Sequence, residues 1–385
     1  MSWMTFAEAH LTQPWATFDE EQLTNALHVV GLADPRLLAR CLEAGESDAR
    51  LQAAIVGGLQ LLHMALESTA NPQAARVRLA RFIQDAEEPL AWLLSLTDSP
   101  RLVDMVTTLF AGSQFLSDIL LRNPEYLDLL RDWRSLAQSK TPADFCAEAL
   151  AVSAKCTCRD DRLDTLRRWQ RWELLRIGVC DLAGLLDLPC VTEQLSWLAD
   201  SLVRACLDLA AVETATDVNG FVVIALGKLG GGELNYSSDI DLVFVARSDP
   251  VSYYRLAERL IDGLARITGE GFLYRVDMRL RPWGFSGPLV SSGEAYLRYL
   301  REHARLWEKQ ALLKARPIAG DVTLAEDLLG QVMPLLGKLD RDAVRADVHE
   351  MKQRIETQLR QSGREWGEVK LGRGSIRDVE FVAQY

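Results

Sequence analysis

Nowhere in the 385 residues is there an apolar run long enough to cross a bilayer. The nearest, Leu51 to Leu66, is interrupted by Gln52, Gln60 and His63, so it reads as a buried helix and no membrane partner is expected. The opening Met1-Ser2-Trp3-Met4-Thr5-Phe6-Ala7-Glu8 has neither the basic nor the apolar region of an export signal, and a cytoplasmic location is expected. Cysteine is sparse and irregular. Of the seven, only Cys156 and Cys158 are close, with no second pair or histidine beside them, which speaks against a zinc site, and the thiols are expected to be reduced. His10, His28, His63, His303 and His349 show no metal-ligand spacing. A net charge of −11 speaks against a general nucleic-acid binder. Neither a Walker A Lys-Ser/Thr pattern nor a dinucleotide glycine fingerprint occurs.

What is present suffices for two or three globular domains, with 48% hydrophobic and 25% charged residues. Residues 1–215 read as helix after helix, with breaks at Gly57-Gly58 and Asn71-Pro72. Leu166 to Asp187 is amphipathic, and Thr192 is the expected N-cap of a helix running to about Val212. Near residue 219 the period changes. Phe221 to Leu226 is an apolar run that leads into Gly230-Gly231-Gly232, and a second run, Ile240 to Phe244, follows Ser237-Ser238-Asp239. Tyr253 to Thr268 predicts a helix. Phe272 to Pro282 alternates most cleanly, with Phe272, Tyr274, Val276, Met278 and Leu280 on one face and Arg275, Asp277, Arg279 and Arg281 on the other. A long helix is predicted from Glu294 to Lys314, then helices at Val322–Leu336 and Asp342–Gln361. The expected domains are 1–215, helical; 216–320, catalytic; and 321–385, the start of a helical bundle. The chain stops within an apolar helical pattern without a C-cap, which reads as a piece of a longer protein.

Alternate strand residues share a face, so Asp239 and Asp241 project together while Ile240 and Leu242 enter the core. Adjacent carboxylates repel, and a divalent cation relieves that repulsion. If the Phe272–Pro282 segment lies beside the earlier strand, Asp277 is a third carboxylate. The pair alone could be a turn or capping device. The glycines upstream, able to admit a phosphate closely, and the arginines beside Asp277 weigh toward a metal–nucleotide site. From Arg275 to Arg316 there are nine Lys or Arg against four Asp or Glu, a positive stretch suited to phosphate.

The string Gly227-Lys228-Leu229-Gly230-Gly231-Gly232-Glu233-Leu234-Asn235-Tyr236-Ser237-Ser238-Asp239-Ile240-Asp241-Leu242, followed by Tyr274-Arg275-Val276-Asp277-Met278-Arg279-Leu280-Arg281-Pro282, resembles the bacterial glutamine synthetase adenylyltransferase/adenylyl-removing enzymes. Ser286-Gly287-Pro288, Trp307-Glu308 and Lys314-Ala315-Arg316 extend the likeness, as do Gly112-Ser113-Gln114 and Arg122-Asn123-Pro124-Glu125 upstream. The resemblance implies a DNA polymerase β-like nucleotidyltransferase: an α+β, mostly helical fold with a small mixed sheet between helical regions. It implies Mg2+ held by Asp239, Asp241 and Asp277, and phosphates met by Gly230, Gly231, Ser238, Arg275, Arg279 and Arg281. It further implies glutamine synthetase as protein substrate, with ATP, ADP and phosphate as small partners and a PII-type nitrogen-signalling protein as regulator. Asn235, the Tyr-Arg-Val-Asp-Met-Arg string and Lys370-Leu371-Gly372 resemble the half that removes AMP from an adenylyl-tyrosine by phosphorolysis, and removal is the expected direction. Addition of AMP from ATP is the alternative, and a regulatory nitrogen-signal or nucleotide-binding module without turnover is a third. Where the family has Gly-Gly-Ile, this chain has Gly374-Ser375-Ile376, and a strained serine is expected there.

Overall fold

The computed structural model describes residues 20–337, 341–364 and 366–384. Met1–Glu8, read above for an export signal, and His10 lie outside them. The chain divides into two compact units, the first built from residues 1–139 and 170–191 and the second from 140–169 and 192–385.

In the first unit the described segments are helical. Proline sits in the first turn of the helices Pro35–Ser47, Pro72–Gln84, Pro89–Thr97 and Pro100–Gly112, where its missing N–H costs no hydrogen bond. Asp34 and Asn71 cap two of these by accepting from the N–H of Arg36 and Ala74. Leu59, Leu62, Leu79, Val106 and Phe110 are among the fully buried core residues, and the Phe82 ring lies 5.5 Å from that of Trp92. Gly57-Gly58 is not a break: both lie inside the helix Ala49–Ser68. A Cβ on Gly58 would stand 2.6 Å from the Thr97 hydroxyl, so the glycine admits a neighbouring helix rather than ending its own.

The second unit holds the sheet. Besides the helix Pro142–Ser153 and the part of Arg159–Leu182 up to Trp169, it contains α1 (Leu188–Thr214, of which Thr192 onward belongs to this unit), α2 (Gly227–Gly230), α3 (Tyr254–Ala265), α4 (Gly293–Glu302), α5 (Leu306–Ala311), α6 (Val322–Leu336), α7 (Arg341–Gln361) and α8 (Ile376–Gln384). Its strands are β1 (Phe221–Leu226), β2 (Ile240–Ala246), β3 (Val276–Asp277), β4 (Val290–Ser292) and β5 (Arg316–Gly320). The order is β3-β2-β1-β5, with β4 also on β2. β1 runs antiparallel to β2 and β5, whereas β3 and β4 run parallel to β2, so the sheet is mixed. Every β1 residue is buried, as a strand covered on both faces requires. One face carries Val222, Ile224, Val243 and Val245 into a core with Tyr296 and Leu300 of α4 and Leu324, Leu328 and Val332 of α6.

Several expectations are corrected. Thr192 is not a cap: α1 starts at Leu188, and the Asp187 carboxylate accepts from the N–H of Cys190. The Phe272–Pro282 strand shrinks to Val276–Asp277, because the N–H groups of Leu273 and Tyr274 are drawn to the Leu264 carbonyl at the end of α3. Phe272, placed on the core face by alternation, is exposed. The long Glu294–Lys314 helix breaks at His303, where the Ala304 N–H turns back to the Tyr299 carbonyl, and a new helix starts with the Glu308 carboxylate accepting from the Arg305 N–H. Its tail turns into β5, which the sequence pattern did not announce. Ser375 is not strained, since the left-handed backbone belongs to Gly374 at φ +68°.

Candidate active site

β1 ends at Leu226, directly across from Asp241 on β2. The chain must then turn sharply, and Gly227 does so at φ +58°. A Cβ at Gly227 would stand 2.5 Å from Asp241 Oδ2, so the glycine also makes room for that carboxylate. The one-turn helix α2 that follows is clamped by Arg316 of β5, which donates to the carbonyls of Leu229 (2.9 Å) and Gly230 (3.3 Å). The same guanidinium donates to both oxygens of Asp200 on α1, at 2.6 and 3.2 Å. Burial raises the Asp200 carboxyl above its ordinary value, with Arg316 pulling the other way.

β3 pairs with β2 in a register that sets Asp277 beside Asp241. Asp239 precedes β2, in a loop whose Ser237 takes a left-handed backbone at φ +54°, uncommon for a residue with a side chain. The three carboxylates differ in their surroundings. Asp239 pairs with Arg275, which also donates to the Ser237 carbonyl at 3.0 Å. Asp277 is gripped by Arg279, whose backbone N–H and side chain both donate to it, and this holds its carboxyl below the usual range. The Asp241 carboxylate has neither an ion pair nor a hydrogen bond among the described residues. Burial first, then the charge of Asp277, pushes its carboxyl up to about 6.

These residues open into a cleft of about 1050 Å3. Lys228, Ser238, Arg275, Arg279 and Lys314 line the sheet side, and Met351, Arg354, Lys370 and Phe381 line the side made by α7, α8 and the segment between them. Of the residues expected from sequence, Asp239, Asp241, Asp277, Ser238, Arg275 and Arg279 come together here. Gly230, Gly231 and Arg281 do not line the cleft. A Cβ on Gly230 would lie 2.1 Å from the Lys314 carbonyl oxygen and one on Gly231 3.0 Å from the Lys314 side chain, so both glycines serve close packing of the turn. Arg281 is occupied in bracing the loop after β3, donating to the carbonyls of Phe285 and Gly287. Sequence reasoning did not single out Gly227, Lys228 or Lys370 as site residues. The signal for the first two was their position immediately after an all-apolar strand.

No three His, Cys, Asp or Glu side chains among the described residues already form a metal cage, because Asp239 and Asp277 turn to their arginines. The donor chemistry nevertheless fits a hard divalent cation: the set is carboxylate oxygen only, and the partly buried Asp241 feels Arg279 and Lys370 only at a distance, with no direct ion pair among the described residues.

The family model described as glutamate-ammonia ligase adenylyltransferase matches residues 103–331. The chain belongs to that family. Its architecture, a small mixed sheet set among helices, is that of a DNA polymerase β-like nucleotidyltransferase, and membership implies a mechanism dependent on a divalent metal. Among relatives named bifunctional glutamine synthetase adenylyltransferase/adenylyl-removing enzyme, that of Nitrosococcus oceani is 35% identical over 85% of this chain and 37% of its own length. The Chromobacterium violaceum relative is 33% identical over 97% of this chain and 43% of its own length, and that of Streptomyces avermitilis 34% over 92% and 35%. The chain thus spans less than half the length of these relatives. The matched family model is that of an adenylyltransferase, which favours addition of AMP over its removal, and the expected direction is corrected accordingly. Among the described residues no helix is long and apolar enough to cross a membrane.

Proposed function

We propose that this chain transfers the adenylyl group of ATP to glutamine synthetase, with Mg2+ held by Asp239, Asp241 and Asp277. The observation that carries this reading is the register of Asp241 and Asp277 on adjacent parallel strands, at a cleft edged by lysine and arginine. A bound divalent cation would neutralise charge on the phosphate oxygens. The protein's own contribution is placement. Gly227 lets the Asp241 carboxylate lie against the turn, and Arg279 fixes Asp277. Lys228, Lys314 and Lys370 supply positive charge for the triphosphate and the departing pyrophosphate. The acceptor is a hydroxyl, a tyrosine by family resemblance. Its oxygen gives up its proton to solvent and bonds to the α-phosphorus as the bond to the β-phosphate oxygen breaks and pyrophosphate leaves. Regulation by a PII-type protein rests on the resemblance alone. Retention of all three carboxylates favours turnover over a module that only binds.

The test uses the chain with Mg2+, ATP labelled at the α-phosphate and unmodified glutamine synthetase. Label should pass to the protein and fall at least about a hundredfold in Asp241→Asn. Absence of incorporation, with inorganic phosphate instead taking the adenylyl group off adenylylated glutamine synthetase as ADP, would overturn the reading.

A further inference from the structure

One side chain in the cleft is buried without a partner. Gln310 on α5 is 8% exposed and lines the cleft, yet its Nε2 donates to nothing among the described residues. Leaving a buried amide N–H unpaired is unfavourable, so such a donor in a cleft points to an acceptor on whatever binds there. Its surroundings describe that acceptor. Leu306 and Trp307 from the same helix, Met351 and Ile355 from α7 and Phe381 from α8 line the same space. These apolar groups lie among the charged Glu350 and Arg354 of α7 and Glu380 of α8, and they adjoin the carboxylate end of the cleft. Four residues after Gln310, the Lys314 carbonyl packs against Gly230, in the turn that begins at Gly227 beside Asp241.

We propose that Gln310 anchors the nucleobase of the bound nucleotide, donating its amide N–H to an in-plane ring acceptor while Trp307 offers an aromatic face. The inference rests on the nucleotidyl-transfer reading and names its base subsite. A purine presents ring nitrogens along its edge and an apolar face above and below, which is the pairing of groups found here. A tyrosine of the protein substrate fits less well. Its single polar atom is the hydroxyl that must reach the carboxylates, which leaves nothing for Gln310 to meet.

The experiment compares binding of ATP with binding of inorganic tripolyphosphate, which has the phosphates and no base. Both are titrated with Mg2+ by calorimetry into the wild-type chain and into Gln310→Met, which keeps side-chain size and removes the donor. ATP affinity should fall about tenfold, the loss of one hydrogen bond, while tripolyphosphate affinity stays as in the wild type. Trp307→Leu, at a residue 39% exposed, should show the same selective loss. Unchanged ATP affinity, or an equal loss for both ligands, overturns the proposal. Should Gln310→Met fail to fold, Gln310→Glu, which keeps polarity and removes the donor, is read by the same comparison. The two readings fail separately. A wild-type chain that transfers label while the variants bind ATP normally loses only the base subsite. A chain that prefers ATP through Gln310 and transfers no label supports the subsite and loses the transfer reaction.

Discussion

Gly227→Ala tests whether the turn after β1 exists to place Asp241. The substitution has two separable effects. The first is conformational: alanine at φ +58° costs about 1–2 kcal/mol relative to glycine. The second is steric. The new Cβ would stand 2.5 Å from Asp241 Oδ2, whereas ordinary contact begins at 3.4 Å, so the carboxylate must retreat by about 1 Å. A catalytic group misplaced by about 1 Å costs on the order of a hundredfold in rate. Gly232→Ala separates the two effects. Gly232 also has a left-handed backbone, at φ +70°, but a Cβ there meets nothing within 4 Å. Both variants should therefore lose about 1–2 kcal/mol in urea unfolding. Initial rates of labelled AMP transfer, measured where both are fully folded, should drop about a hundredfold for Gly227→Ala and stay within about threefold of wild type for Gly232→Ala. Equal rates for the two variants would refute the argument, because the activity would then be indifferent to where Asp241 sits.

Two further outcomes concern the scaffold. Arg316→Met should destabilise the protein by about 2–3 kcal/mol, since it strands the buried Asp200 carboxyl and two α2 carbonyls, while Asp200→Asn should cost only about 1 kcal/mol; the reverse order in urea unfolding would refute the clamp. Asp321 accepts from the N–H of Gly220 and Leu324, from Thr323 and from Arg247, and these bonds hold its carboxyl well below the usual range. Its stabilising contribution is therefore complete above the unfolded value of about 4 and is lost as pH falls from there toward the depressed folded value. The melting-temperature gap between wild type and Asp321→Asn should be widest near neutrality and narrow below about pH 4. A gap of constant width across that range would exclude the carboxylate as its source.

Much of this was legible in the sequence, for a local reason. Phe221–Leu226 is a continuous apolar run, and Ile240–Ala246 is apolar at every position but Asp241, because both strands are buried almost throughout, and burial of that kind needs no long-range knowledge to recognise. The carboxylates were legible because they interrupt apolar alternation. β5 was not. Arg316-Pro317-Ile318-Ala319-Gly320 carries a proline and a glycine, lacks strand alternation, and becomes a strand only by pairing with β1 through an irregular register. Gln310 was equally hidden, since nothing local distinguishes a surface glutamine from one buried at 8% exposure.

The glycine motif shows where local reading reaches its limit. Gly230, Gly231 and Gly232 drew attention as a cluster, and a cluster of glycines suggests backbone approaching phosphate. The folded turn divides the work differently. Gly230 admits the Lys314 carbonyl, Gly231 the Lys314 side chain, and Gly227, outside the cluster, admits the aspartate. Gly227 and Gly230 need to lack a Cβ and Gly231 packs tightly without one, but the atom each makes room for comes from a segment remote in sequence: β2 for Gly227 and the approach to β5 for the other two. Composition can therefore say that the backbone must be approached closely here. Which group approaches is decided by strand pairing: β2 brings Asp241 to the end of β1, and β5 brings Lys314 and Arg316 to the turn beyond it. Gly227 thus serves to place the Asp241 carboxylate at the end of β1, whereas Gly230 and Gly231 make room for Lys314, and that is why a methyl group at Gly227 and one at Gly232 should have such different consequences.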